Sequence, residues 1–181
     1  MADGPARITG LESVVTSKPE RAAASSVGWL FVALVAAVIT ITYHLGSLPL
    51  LNPDEGRNAE VAREMKESGA WLVPTYNRMA YLDKPAFYFK AVALSLAAFG
   101  DNELAARLPS AAFGFGILAL VWAFSQRECG ARPAALSVLV VATTPLFISQ
   151  ARTVIFDIAL ALFVGLAIIA GYLAEQRSGR A

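Results

Sequence analysis

Four stretches of this sequence are apolar over a length that suits a membrane span, and they constrain the fold more than any other feature. They cover residues 27–45, 104–124, 134–147 and 154–173. A helix needs roughly 20 apolar residues to cross the hydrocarbon core, so the third stretch must extend a little at either end. The sequence therefore predicts an all-α integral membrane protein with four transmembrane helices, because only structures that satisfy their own backbone cross lipid.

The composition agrees with a membrane protein. Of the 181 residues, 56% are hydrophobic and 16% are charged, whereas roughly a quarter of the residues in a soluble domain are charged. The net charge of +1 and the lack of a long basic run argue against a nucleic-acid partner. With one cysteine, Cys129, and one histidine, His44, the chain cannot form an internal disulfide or a thiolate metal cluster.

Residues 1–26 are polar and mixed in charge, which predicts a disordered cytoplasmic tail. A signal peptide is the alternative, because positive charge precedes an apolar run. That run is longer than a typical signal core, and residues 44–47 do not form a cleavage site of small residues. We therefore expect a transmembrane part over residues 27–174 and a short cytoplasmic end over residues 175–181.

A long polar connection, residues 46–103, separates the first two predicted spans. Membrane proteins rarely place charges so near the bilayer without a use, so we expect the chemistry here. Residues 87–100 within it are apolar but too short to span, and they carry Lys90, which predicts an amphipathic interfacial helix. The charged residues that stand out in this connection are Asp54, Glu55, Arg57, Asp83 and Lys84.

The head of this connection is also typical of a helix start. Asn52 fits the N-cap, Pro53 the first helical position and Glu55 the third position of a capping box. Capping is thus an alternative to catalysis for Glu55, but it leaves Asp54 unexplained. We expect Asp54 at the second helical position, where the helix dipole favours its ionised form.

Basic residues predict the orientation, because they accumulate in short cytoplasmic connections. With four spans, the loop that contains Arg127 and Arg132 lies on the same side as both chain ends. Residues 46–103 and the head of the fourth span, with Asp157, then lie outside. The sequence predicts an outer pocket from these two polar regions, and it predicts that Arg107, near the end of the second span, snorkels to the headgroups.

Four motifs, in order, carry a resemblance to a known family: Pro-Asp-Glu-Gly-Arg-x-Ala-Glu at 53–60, Leu-Asp-Lys-Pro at 82–85, Ala-Arg-Leu-Pro-Ser-Ala at 106–111, and Gln-Ala-Arg at 150–152 followed by Asp157. From about residue 28 onward the chain resembles the amino-terminal part of integral-membrane GT-C glycosyltransferases. It is most similar to the bacterial lipid A aminoarabinose transferase and protein O-mannosyltransferase branch. The resemblance implies sugar transfer from a polyprenyl-phosphate donor to a lipid or protein acceptor at the outer face of the inner membrane.

The resemblance also implies roles for single residues. Asp54, with Glu55 beside it, matches the acid that activates the acceptor, and Asp157 matches a second acidic position. Arg57 and Lys84 match positions that hold the lipid phosphate, whose growing charge a fixed cation can neutralise.

Alternatives stay open for several of these residues. Snorkelling is the alternative for Lys84. Arg152 is a further candidate for substrate binding, and an ion pair with Asp157 is its alternative. Asp83 stands where aminoarabinose transferases commonly have glutamate, and it is the candidate ligand if a divalent metal takes part.

The family resemblance predicts more chain than this sequence has. Members have several hundred residues, many more spans and a soluble carboxyl-terminal domain, so we expect either a truncated chain or a partner that supplies the rest. Two other functions remain as alternatives. One is a small four-span transporter, although the first span lacks the acidic residue that such a coupling site needs. The other is a non-catalytic polyprenyl-phosphate-binding membrane subunit that keeps Arg57 and Lys84.

Overall fold

The computed structural model describes residues 28–51 and 53–178, which form seven helices and one short hairpin. The predicted tail over residues 1–26, the N-cap at Asn52 and the last three residues lie outside these ranges. The helices are α1 (Gly28–Thr42), α2 (Asp54–Ser68), α3 (Ala86–Phe99), α4 (Glu103–Cys129), α5 (Ala131–Thr143), α6 (Pro145–Arg152) and α7 (Asp157–Ser178), and the strands are β1 (Thr75–Tyr76) and β2 (Met79–Ala80).

Two helices in the described part, α4 and α7, are long and apolar enough to cross a membrane, with 27 and 22 residues. Helices α5 and α6 together pass the same test, but they bend by 67° at Thr144. Thr144 precedes Pro145 and has an extended ψ of 122°, because the proline ring disfavours a helical conformation in the preceding residue. A mostly helical architecture is confirmed, with two candidate spans or up to three in the described part, and the count of four stays a prediction.

The predicted first span corresponds to α1, which is apolar but shorter than a full span over its described residues. The apolar segment before α4 forms α3, close to its predicted bounds. Tyr88, Phe89 and Val92 of α3 are fully or almost fully buried, whereas Phe87 and Leu94 are exposed on its other side. The placement of α3 along the membrane surface stays a prediction.

Helix α4 lies at the centre of the fold and contacts α3, α5, α6 and α7. Its first half shares a core with α2 and α3, which includes Met65 and Phe89. Its second half shares a core with α1 and α5, which includes Ile41 and Val138. At Gly114 a Cβ atom would lie 2.9 Å from the Cβ of Ala151, so the absence of a side chain lets α6 pack closely on α4.

The β-hairpin is attached to α2 through Glu64. Thr75 donates its hydroxyl to Glu64 Oε2 at 2.7 Å, and the backbone N–H of Arg78 donates to the same oxygen at 3.2 Å. Asn77 and Arg78 have positive φ angles of 52° and 63°, as a tight two-residue hairpin turn requires. These contacts place the hairpin beside α2, on the chain segment that leads to Lys84.

Candidate functional site

Several of the predicted site residues line a single polar pocket of about 230 Å³. Its walls come from the start of α2, the connection before α3 and the start of α7. The charge pattern predicted this convergence, although the roles of the individual residues stay predictions. The pocket is lined by Asp54, Arg57, Asn58, Asp83, Lys84, Ile155, Phe156 and Asp157.

Asp54 and Arg57 form one wall of the pocket as an ion pair, one turn apart on α2. The helix begins at Asp54, with Pro53 as its N-cap, so the prediction that placed Asp54 at the second helical position was one residue off. The side chain of Asp54 is 61% exposed. Arg57 Nε is buried and has no hydrogen-bond partner among the described residues.

Lys84 also lines the pocket, from the connection before α3. Its Nζ lies 4.6 Å from the centroid of the Phe156 ring, a cation–π contact that holds the ammonium without neutralising it. Within the described residues Lys84 makes no ion pair. Its charge therefore remains available to an anion in the pocket.

Glu55 is buried outside this pocket, with 2% of its surface exposed. It accepts hydrogen bonds from Arg107, at 2.7 Å to Oε1 and 2.9 Å to Oε2, and from the backbone N–H groups of Leu51 and Val154 at 2.8 and 3.1 Å. Burial raises the pKa of Glu55, but these hydrogen bonds outweigh it and hold the pKa below its usual value. The predicted capping box is not formed as expected: the N-cap is Pro53, which makes no side-chain capping hydrogen bond, and Glu55 accepts from the backbone N–H of Leu51.

Arg107 does not snorkel, so that prediction was wrong. Its side chain is only 6% exposed, because the chain after α1 folds over the start of α4 and surrounds the guanidinium with acceptors. Besides Glu55, Arg107 donates to the carbonyls of Leu45, Leu48 and Pro49 at 2.8–3.1 Å. A planar guanidinium with five donors suits such a set of acceptors.

Arg152 lies at the carboxyl end of α1 and is not among the residues that line the pocket. It donates to the carbonyls of Thr40 at 2.8 Å and Tyr43 at 2.7 Å, where unpaired helix carbonyls favour a cation. It makes no ion pair with Asp157, so that alternative was wrong. Its substrate-binding role stays a prediction that these contacts do not favour.

Asn58 also lines the pocket, and the sequence analysis assigned no role to it. Its amide Nδ2 donates to the carbonyl of Val154 at 2.8 Å, and the side chain is buried. The signal that could have found it is its position one turn after Glu55, since a second polar residue on the buried face of an amphipathic helix needs a partner.

The described residues do not build a metal site. No three His, Cys, Asp or Glu side chains within 28–51 and 53–178 are close enough to hold an ion. Asp83, the candidate ligand, accepts a hydrogen bond from the hydroxyl of Tyr81 at 3.3 Å. The pocket can instead bind an anion between Arg57 and Lys84 and present Asp54 and Asp157 to it.

Comparison with known proteins gives the family. The family model described as dolichyl-phosphate-mannose-protein mannosyltransferase matches residues 83–180, which is more than half of the chain. The chain belongs to this family. It is similar to the lipid A aminoarabinose transferases, as the motifs predicted.

Curated relatives support the assignment to this family. An undecaprenyl phosphate-alpha-4-amino-4-deoxy-L-arabinose arabinosyl transferase from Edwardsiella ictaluri is 32% identical over 83% of this chain and 27% of the relative. The protein of the same name from Aeromonas salmonicida is 33% identical over 73% of this chain and 24% of the relative. The chain thus spans about a quarter of the length of these relatives.

Solved structures of family relatives have the same fold. ArnT from Cupriavidus metallidurans, bound to undecaprenyl phosphate, superposes with a TM-score of 0.71 at 32% identity, over 76% of this chain and 26% of ArnT. Its apo form gives a TM-score of 0.69 at 30% identity, over 78% of this chain and 26% of ArnT.

Proposed function

We propose that the chain is part of a glycosyltransferase that moves a sugar from a polyprenyl-phosphate donor to a lipid or protein acceptor, at the outer face of a bacterial inner membrane. The observation that carries this proposal is the polar pocket, which two cations and two carboxylates line together. The structure of the relative bound to undecaprenyl phosphate supports the donor class.

Arg57 and Lys84 are the groups proposed to hold the donor phosphate. Arg57 offers a partly exposed guanidinium that lines the pocket, and Lys84 offers an ammonium held over Phe156. As the bond from the anomeric carbon to the phosphate oxygen breaks, negative charge grows on that oxygen. Fixed cations stabilise the transition state because they need not reorganise when the charge appears.

Asp54 and Asp157 are the groups proposed to act on the acceptor. Both are in the pocket, and the exposed carboxylate of Asp54 can reach a bound hydroxyl. A carboxylate that accepts the hydroxyl proton lets the acceptor oxygen form its bond to the anomeric carbon as the phosphate leaves. The proton therefore ends on the carboxylate, and the electron pair of the broken bond ends on the phosphate.

A neighbouring apolar pocket favours a donor that carries a lipid. It has a volume of about 180 Å³ and shares Phe156 with the polar pocket, and Phe87, Leu160 and Phe163 also line it. An isoprenoid next to the phosphate can pack against these side chains, whereas a nucleotide sugar would place polar groups there.

Binding of undecaprenyl phosphate to the chain in nanodiscs tests this proposal. Lys84→Ala and Arg57→Ala should each weaken binding by roughly 1.5–3 kcal/mol, the scale of a hydrogen bond to a charged group. Lys90→Ala is the matched control, because Lys90 is a half-buried lysine on α3 that does not line the pocket. Unchanged binding in the double variant of Arg57 and Lys84 would sink the assignment.

Sugar transfer must be measured separately, with the chain extended to the length of its relatives. Transfer from a polyprenyl-phosphate sugar supports the enzyme. Binding of undecaprenyl phosphate without transfer in that extended protein would favour the non-catalytic lipid-binding subunit instead.

A further inference from the structure

Two side chains of α2 hold both polar groups of one backbone residue, Val154. Glu55 Oε1 accepts the Val154 N–H at 3.1 Å, and Asn58 Nδ2 donates to the Val154 carbonyl at 2.8 Å. Glu55 and Asn58 are one helical turn apart, so they project from the same face of α2. All three residues are buried, so water does not readily replace these bonds.

Val154 lies in the short connection between α6 and α7, just before the α7 side of the pocket. Phe156, whose ring contacts the ammonium of Lys84, follows two residues later, and Asp157 is the first residue of α7. The Phe156 carbonyl already accepts the N–H of Leu160 at 3.0 Å, so it belongs to the first turn of that helix. The place of Val154 therefore fixes where α7 begins and where Asp157 stands.

We propose that Asn58 is a positioning residue that, with Glu55, sets the α7 side of the pocket at its distance from the α2 side. The role assigned to the pocket rests on the proposed function, whereas the contact between Asn58 and Val154 is independent of it. When the hydrogen bonds to Val154 are lost, the positions of Phe156 and Asp157 are no longer fixed relative to α2. Catalytic geometry tolerates little such looseness.

Asn58 can be tested apart from the fold, because other groups anchor α2. Glu55 is paired with Arg107 on α4, and Met65 and Val61 pack in the core with α3. The one side-chain hydrogen bond found for Asn58 within the described residues goes to Val154. Its loss should be felt in residues 153–157 and not across the whole protein.

The first experiment compares hydrogen–deuterium exchange of Asn58→Ala and Asn58→Asp with the unaltered chain in nanodiscs. Both variants should lower the protection of residues 153–157 by about tenfold at neutral pH, the scale of an unpaired buried acceptor. Protection in α4 should not change. Glu67→Gln, an exposed change on the same helix, should alter neither.

Acid rescue separates positioning from simple loss of packing. The carboxyl introduced by Asn58→Asp becomes protonated toward about pH 4, and a protonated carboxyl can donate to the Val154 carbonyl. Protection factors of residues 153–157 should therefore recover on acidification in Asn58→Asp and not in Asn58→Ala. Recovery in neither variant, or an equal loss of protection throughout α2 and α4, would overturn the proposal.

Undecaprenyl-phosphate binding then tests whether the hydrogen bonds of Glu55 and Asn58 with Val154 matter for the pocket. Both Asn58 variants should weaken this binding by about three- to tenfold at neutral pH, the effect of about one hydrogen bond, and the Asn58→Asp variant should recover in acid. If the unaltered chain does not bind undecaprenyl phosphate, the proposed function fails. The exchange result still decides whether Asn58 holds Val154 in place. If the unaltered chain binds and the variants bind equally well despite lower protection, the positioning role is wrong.

Discussion

Arg107 donates Nε and Nη2 to the two carboxylate oxygens of Glu55, at 2.7 and 2.9 Å, and both side chains are buried. The pair joins α4 to the start of α2, across 52 positions of sequence. The remaining donors of Arg107 bind the carbonyls between α1 and α2. This one pair therefore fixes the start of α2, which carries Asp54 and Arg57, and the connection before it against α4.

Breaking the pair should destabilise the protein strongly. Arg107→Leu or Glu55→Gln should each lower the free energy of unfolding by about 3–5 kcal/mol, because the remaining charge is left buried and unpaired. Denaturant unfolding in detergent measures the change. Arg63→Gln is the control, since Arg63 pairs with Glu60 and Glu67 at the surface, where an ion pair is worth about 1 kcal/mol or less. Equal losses in all three variants would contradict the buried role.

The same pair predicts how stability depends on pH. The folded-state pKa of Glu55 is lowered, so its contribution is present above the unfolded-state value of about 4.3 and is lost as pH falls through the folded-state pKa. The stability of the unaltered chain should therefore fall below about pH 4.3. In Arg107→Leu the main contact that lowers the folded-state pKa is gone, so the acid-induced loss of stability tied to Glu55 should be smaller than in the unaltered chain or absent. Denaturant midpoints along an acid titration measure both, and identical profiles would contradict the assignment.

The sequence could predict the helices because their causes are local. The apolar lengths predicted α4, α7 and the short α3. The partners of Arg107 could not be predicted in the same way. Periodicity shows that a face is covered, but it does not show that the chain after α1 folds back over this arginine.

The site also contains residues that the sequence could predict and residues that it could not. Asp54, Lys84 and Asp157 were predicted to meet because charge placement set them on one side of the membrane. Asn58 was missed because the motif specifies no residue between Arg57 and Ala59. Its partner, Val154, also lies 96 positions away in the sequence. Arg152 was taken for a substrate ligand because the sequence could not show that the end of α1 lies beside it.

Arg152 should act on stability and not on donor binding. Arg152→Ala should lower the free energy of unfolding by about 1.5–3 kcal/mol, since it removes charged hydrogen bonds to the carbonyls at the end of α1. Undecaprenyl-phosphate affinity should stay within about threefold. Arg152→Lys should retain part of the stability, because it keeps the charge but loses the fork of donors. A tenfold or greater loss of affinity in folded Arg152→Ala would restore the predicted substrate role.

Cys129 tests the predicted orientation. It is exposed at the carboxyl end of α4, opposite the end that carries Arg107. In intact cells a membrane-impermeant maleimide should label Cys129 only after the inner membrane is opened. Ser68→Cys in a Cys129→Ser background is the matched control, because Ser68 is exposed at the end of α2, and it should label without opening. Labelling of Cys129 in sealed cells would reverse the proposed outer face.

Asp54 should be the principal catalytic carboxylate, and its neighbour Glu55 should not. Asp54 is exposed in the pocket beside Arg57, whereas Glu55 is buried and bonded to Arg107. Asp54→Asn keeps the shape of the side chain, but the amide cannot take the proton from the hydroxyl of the acceptor substrate. In the protein extended to the length of its relatives, this variant should cut turnover by about 100-fold or more, the scale of a general base.

Donor binding and folding separate this catalytic role from a structural one. Asp54→Asn should leave both nearly unchanged, because Arg57 keeps its charge and its place on α2 in the pocket. Asp101→Asn is the matched control, since Asp101 pairs with Lys66 outside the pocket, and it should retain turnover. Glu55→Gln should lose turnover only in proportion to the folded protein that it loses. Near-normal turnover of Asp54→Asn, beside folded but inactive Glu55→Gln, would reverse the two roles.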